Sequence, residues 1–284
     1  MRVPRWLIYP LVMASAFTLS WTLQRVGVGL TVSTYVAIVA VALTVAVLER
    51  VVPYRTEWHP GPQELTTDLA FIAVVQLLLP PFIAVAFANV VVAPVRSLGI
   101  PATILWPHAW PLWAQTALMV LLVDLMRYWL HRACHETDAL WRLHSVHHSV
   151  DRLYWLNTSR FHPVEKTLQM MLDSLPFLVM GVSAEVLSLY YLTYSANGFL
   201  QHSNIDLRYG PLNYIVGSAE THRWHHSRES REANANYGST LVLWDVIFGT
   251  WFLPADRQVD RLGLREIYPR SFVGLLAAPF RKRD

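Results

Sequence analysis

Apolar residues run almost unbroken over about 6–23, 29–48, 68–94 and 110–130. Each run approaches or exceeds the roughly 20 residues a helix needs to cross a bilayer core, so four transmembrane helices are predicted. Pro80 and Pro81 fall inside the third run, where they predict a kink whose freed carbonyls must be satisfied by neighbours. A fifth apolar stretch, about 167–200, is divided by Pro176, Gly181 and Ser183 into two pieces, each short for a full crossing. This pattern predicts a re-entrant helical hairpin, with Ser183 as the N-cap of its second helix and Glu185 in the first turn.

Composition fits a membrane protein. Of 284 residues, 54% are hydrophobic and 15% charged, too apolar for an ordinary soluble domain of this size. Arginine and lysine are dense around 50–55, 127–166 and 208–283 and sparse over 85–110. The positive-inside rule therefore places the N-terminus, the histidine-rich segments and the C-terminus in the cytoplasm, with Arg25 dissenting. Arg2 and Arg5 precede the first run, but no small-residue cleavage site follows before the second, so a retained anchor is expected rather than a signal peptide. The net charge of +3 comes from basic residues that flank apolar runs and gather at Arg281-Lys282-Arg283. That distribution suits anionic lipid headgroups rather than nucleic acid. No repeat or flexible linker divides the chain. The expectation is an all-α, polytopic membrane bundle with about four transmembrane helices, the re-entrant hairpin and a cytoplasmic histidine-rich cap. It reads as one integrated domain: an anchor region over 1–109, a histidine-box region over 110–255 and an interfacial tail over 256–284.

The chemistry lies in the histidines. Eight of the twelve fall in three five-residue boxes: His131-Arg-Ala-Cys-His135, His144-Ser-Val-His147-His148 and His222-Arg-Trp-His225-His226. On a helix, residues four apart share one face, and positions i, i+3 and i+4 span an arc of roughly 100°, so the rings of each box are expected to converge. With His202, nine imidazoles are available, too many for one metal and suited to two. The single cysteine, Cys134, offers no thiolate cage. Lone His59 and His108 are read as structural; His162 is read as a further ligand or a neighbour of the site. Ligating imidazoles need a partner for their other nitrogen, and Asp124, seven residues before His131, is one candidate. Glu165 and Asp245 are two more. Imidazole serves zinc, copper, iron and nickel alike. A nitrogen-rich site beside a hairpin able to admit a lipid points to attack on unactivated C–H bonds, which requires an oxidant made from dioxygen.

The order HxxxH, HxxHH, HxxHH with hydrophobic helices before and between them, together with Phe161-His162-Pro-Val-Glu165 and Trp244-Asp245-Val-Ile-Phe-Gly249-Thr250, resembles the fatty acid hydroxylase and sterol desaturase superfamily of membrane di-iron oxygenases. The resemblance covers roughly 115–255. It implies His131, His135, His144, His147, His148, His202, His222, His225 and His226 as ligands to two iron ions, with O2 as co-substrate and zinc able to substitute in preparations. Many members carry a further histidine four residues before the position of His202. Here that position is Gly198, so Asn197 or a water is expected to stand in. The resemblance also implies a lipid substrate (fatty acyl, sterol-like or ether lipid), hydroxylation or desaturation as the reaction, and a separate electron donor of the cytochrome b5, ferredoxin or reductase type. The brevity of the chain resembles bacterial members, implying an inner membrane. Two other classes use similar ligands. A zinc-dependent membrane hydrolase would be expected to carry a glutamate base in a box, as in HExxH, and none is present. A non-catalytic metal-binding or transport protein would place its ligands along a pathway at membrane depth.

Overall fold

The computed structural model describes residues 4–99 and 105–281; Arg2, Lys282 and Arg283, singled out above for their charge, lie outside them. The described residues are helical, with three isolated antiparallel bridges and no strand. Helices α1 (Arg5–Arg25), α2 (Leu30–Val51) and α3 (Pro62–Ser97) are each long and apolar enough to cross a membrane. Val32, Leu43, Phe82 and Val90 lie exposed on their surfaces, as residues facing hydrocarbon would.

The fourth expected span is a helix of adequate length, α4 (Leu112–Glu136), but it buries Gln115, Asp124 and Arg127 along one side and does not stand among the spanning candidates. Each has a partner inside the protein: Gln115 accepts from Trp106 Nε1, Asp124 accepts from Thr240 N and Arg127 donates to Tyr194 Oη, so α4 belongs to the site as much as to any membrane. In α3 the prolines do not break the helix. Wider π-type turns over Ile72–Leu78 and Ala88–Val92 come just before Pro80–Pro81 and Pro94, and such bulges accommodate residues that cannot complete the α-helical ladder.

The fifth apolar region folds as two helices joined by a turn, a hairpin in connectivity, and the first helix runs through Pro176 instead of ending there. Its arms are α6 (Pro163–Val179) and α7 (Ala184–His202), with Gly181 at φ 70° in the turn and Ser183 capping α7 by accepting from Val186 N. Between α4 and the hairpin lies α5 (Asp138–His148), and α8 (Ala219–His225) and α9 (Leu243–Phe248) follow it. Ile8, Val12 and Ala16 of α1, Ala37, Val41 and Val45 of α2, and Leu192, Ala196 and Leu200 of α7 form one core. Met119 and Val123 of α4 pack with Phe177, Val186 and Tyr190 of the hairpin in a second. The short helices α5 and α8 close the site against the C-terminal ends of α4 and α7, which carry His131, His135 and His202.

Buried carboxylates at the ends of two spans fasten that closure. Glu49 Oε1 accepts from Trp155 N and Asn204 N, both at 2.8 Å, and is only 5% exposed. Asp68 pairs with Arg160 at 2.5 Å and accepts from Tyr154 Oη and Asn157 Nδ2. The loop over 150–162 is thereby tied to α2 and α3.

Candidate metal centre

The nine histidines predicted as ligands come together, but not box by box. His131, His135, His144, His148 and His225 form one group, and His147, His202, His222 and His226 form another, the candidate ligand atoms of each lying within 4.8 Å of one another. The expectation that each HxxHH box converges on one point is therefore corrected. Residues i and i+4 (His144 with His148, His222 with His226) serve the same group, while the i+3 residue (His147, His225) crosses to the other. The cause is angular: i+4 lies about 40° from i around the helix, whereas i+3 lies about 60° to the opposite side. One short helix thus feeds two adjacent pockets, and α5 and α8 stitch the groups together.

Within each group the Nε2 atoms face inward at close range. His131 and His144 are 2.9 Å apart, His148 lies 3.1 Å from both His144 and His225, and in the second group the separations are 2.9 to 3.3 Å. Their partners fix the tautomers. Carbonyl and carboxylate oxygens only accept, so Nδ1–H must donate from His131 to Tyr237 O (2.6 Å), from His225 to Ala235 O (2.8 Å) and from His144 to Glu165 Oε1 (2.8 Å). His135 donates likewise to Asn234 Oδ1 and His202 to Gly198 O. His131 and His144 are left with unprotonated Nε2 lone pairs facing each other at 2.9 Å, an arrangement that is repulsive without a cation between them. Metal–nitrogen bonds of about 2.0–2.1 Å would separate neighbouring ligand atoms by roughly 2.9 to 3.3 Å, the spacing found here. The donor set fits a metal in each group. Burial and then neighbouring imidazoles hold His147, His148, His222 and His226 well below the usual histidine range, and burial brings His225 down to about 3, so all remain neutral ligands at ordinary pH.

The surrounding candidates divide. Glu165 touches an imidazole directly, through His144. Asp245 and Asp124 touch none, contrary to the expectation that they would orient a ring. Asp245 accepts from Tyr237 N, Gly238 N and Thr250 Oγ1, and so holds the strap whose Tyr237 carbonyl orients His131. A side chain at Gly238 would come within 2.9 Å of Asp245 Oδ2. Asp124 accepts from Thr240 N at 2.7 Å, two residues further along the same strap. His162 caps α6, accepting from Val164 N and donating from Nε2 to Leu276 O, and lies in neither group. Asn197 is committed to Tyr9 Oη, Gly217 O and Ser239 O, which leaves its amide a tie between α1, α7 and the strap. Gly198 supplies the carbonyl for His202, and a Cβ there would sit 3.1 Å from Thr158.

Sequence reasoning did not find Asn234, Ala235 or Tyr237, which act through an amide or through backbone carbonyls that carry no residue-type signal. It also missed Asp68 and Glu49. Their signal was present, since a carboxylate at the end of an apolar run is costly unless it has a task.

A helical membrane scaffold that closes nine imidazoles into two adjoining nitrogen-donor pockets belongs to the class of membrane proteins able to hold a pair of metal ions through histidine. The chain belongs to the fatty acid hydroxylase family, whose model matches residues 116–250. It is 31% identical over 281 residues to the ornithine lipid hydroxylase OlsE of Rhizobium tropici, covering 98% of this chain and 84% of that one. Alkylglycerol monooxygenase of Danio rerio is 31% identical over 172 residues, 59% of this chain and 37% of its own. The very-long-chain aldehyde decarbonylase GL1-8 of Oryza sativa subsp. indica is 28% identical over 157 residues, 55% of this chain and 58% of its own. No solved structure matches the chain.

Proposed function

We propose that this protein is an integral membrane oxygenase that uses a pair of iron ions and O2 to hydroxylate a membrane lipid. The observation that carries the reading is the split of the imidazoles into groups of five and four, with unprotonated nitrogens facing each other at ligand spacing. The balance is R–H + O2 + 2 e− + 2 H+ → R–OH + H2O; loss of a second hydrogen gives desaturation instead. The irons would supply the activation of O2. The chain's part is to hold them and to shape what approaches. His131, His135, His144, His148 and His225 would hold one ion and His147, His202, His222 and His226 the other, with Glu165 fixing the ring of His144. Phe161, stacked 4.2 Å from the ring of His147, shields that side from water. No cysteine or acid–base pair is required. Two electrons come from a separate donor protein. The proposed setting is a bacterial inner membrane, with the histidines on the cytoplasmic face.

The test is turnover of purified, iron-loaded protein with a chemical or protein reductant and membrane lipid under 18O2. A lipid product that gains one 18O atom supports the reading. Lipid hydrolysis without oxygen uptake, sustained by zinc and not by iron, would replace it with the hydrolase.

A further inference from the structure

Helix α8 and the residue after it carry two triplets at i, i+3 and i+4. His222, His225 and His226 serve the metal groups. Glu220, Arg223 and Trp224 line a second cavity, of about 510 Å3, and at about 100° per residue the two triplets fall on opposite faces of the helix. Among the described residues no histidine lines this cavity. Its volume lies in the range of small-molecule sites, roughly 300–1,000 Å3.

Arg223 is 4% exposed. Its Nη2 donates to Ile205 O at 2.7 Å and to Ser203 O at 3.4 Å, and its guanidinium carbon lies 3.7 Å from the centre of the Tyr54 ring. Nε has no hydrogen-bond partner, and the side chain forms no salt bridge among the described residues. Only neutral groups meet its charge, and a buried cation without a counter-ion is costly. The other charges at the cavity do not supply one. Glu220 Oε2 accepts from Tyr209 N and Asn213 Nδ2, Arg257 pairs with Glu232 at 2.5 Å, and Asp256 is exposed to water. Arg208, 57% exposed, stands 3.6 Å from Asp206 and 3.7 Å from Glu220, too far to bond either and free to turn inward. The cavity therefore lacks an anion.

Its position says which anion. Tyr54 lies three residues beyond the end of α2, and its N–H donates to Asn204 O at 2.9 Å. Asp206, beside Arg208, pairs at 2.5 Å with Arg5, the first residue of α1. Residues 26–29 alone join α1 to α2, so the start of one and the end of the other share a side, and for helices that span this is the height of lipid head groups. Near the cavity mouth Tyr214, 53% exposed, stacks on Trp251 with ring centroids 4.6 Å apart, an amphipathic pair suited to a membrane–water interface.

We propose that this cavity binds the phosphodiester of a glycerophospholipid head group, held by Arg223 with Arg208 closing on it. The guanidinium fork matches phosphate oxygens. This lipid is a structural ligand and not the substrate: it sits behind α8 and steadies the segment that supplies three of the nine imidazoles. The proposal goes beyond the oxygenase reading and holds whatever reaction the histidine groups support.

The test uses the detergent-purified full chain with phosphatidylglycerol or with diacylglycerol of the same acyl chains. Native mass spectrometry reads retention, and melting temperature in mixed micelles reads affinity. Phosphatidylglycerol should be retained at about one molecule per chain and raise the melting temperature, and diacylglycerol should do neither. Arg208→Ala should weaken binding about tenfold, as loss of a hydrogen bond to a charged group does. Arg223→Met should weaken it further and Arg223→Lys restore part; if Arg223→Met does not fold, Arg208→Ala and Arg223→Lys carry the comparison. Arg265→Ala removes a charge that is 69% exposed and outside the cavity, and should bind as the wild type does. Equal retention of the two lipids, an Arg208→Ala protein with wild-type affinity, or an equal loss in Arg265→Ala would overturn the proposal. So would protection by glycerol 3-phosphate without retention of phosphatidylglycerol, which would give the site to a soluble phosphate ester.

Discussion

Each ligating imidazole has two nitrogens, and the outward one decides what the inward one can do. His144 shows this most directly, because its outward partner is a buried carboxylate rather than a carbonyl. A negatively charged acceptor makes the ring a better donor to a metal and locks its orientation. Glu165→Gln keeps the size and removes the charge. The expected outcome is a loss of about tenfold or more in iron affinity or turnover, with helical content unchanged; wild-type affinity and rate would show that Glu165 serves only packing. Its neighbour Gln169 would still be in place, so the change is confined to the His144 side of the group.

At the level of elements, two short helices do work that neither group could do alone. The five residues of a HxxHH box span a little over one turn, so α5 and α8 each point two imidazoles at one group and one at the other. They are held in register from outside, by spans that end in buried carboxylates. Asp68 of α3 binds Arg160, Tyr154 and Asn157 in the loop between α5 and the hairpin. Asp68→Asn leaves the Arg160 guanidinium buried without its counter-charge, and breaking a buried pair in this way costs about 3–5 kcal/mol. A denaturant titration in detergent should show that loss together with reduced iron retention, whereas an unchanged midpoint would mean that the loop holds itself in place.

The elements also show what could be read in advance. The apolar runs mark α1, α2 and α3, and Gly181 and Ser183 mark the turn between α6 and α7, because length and helix punctuation are local properties; Pro176 lies inside α6 and marks no boundary. The histidine positions were equally plain. What sequence could not deliver was the sorting of rings between groups, which depends on how α4, α5, α7 and α8 meet in space. Nor could it deliver the use made of Asp124 and Asp245, which reach backbone amides of the 237–240 strap and no ring. The polar side of α4 carries its own signal. Asp124 and Arg127 lie in a run long enough to span, and their cost signalled a helix that faces the site.

For the whole molecule, the imidazoles form a buried, neutral cluster, and that has a consequence for pH. Histidines such as His225, held at about 3 against an ordinary 6.5, take up protons more readily unfolded than folded. Stability of the metal-free protein should therefore be full above about pH 6.5 and decline as pH falls from there toward about 3. Melting temperatures of metal-free protein between about pH 7.5 and pH 5 should fall with pH, and bound metal should shift the decline lower. A flat profile would mean that the histidines are solvated rather than enclosed. The central claim is that two adjacent groups each hold one ion, and iron stoichiometry tests it most directly. Protein produced with ample iron should contain about two irons per chain. His135→Ala, confined to the first group, and His202→Ala, confined to the second, should each lose iron mainly from their own group, while a variant with both changes retains almost none. One iron per chain in the wild type, lost equally in either variant, would contradict the account and point to a single shared site.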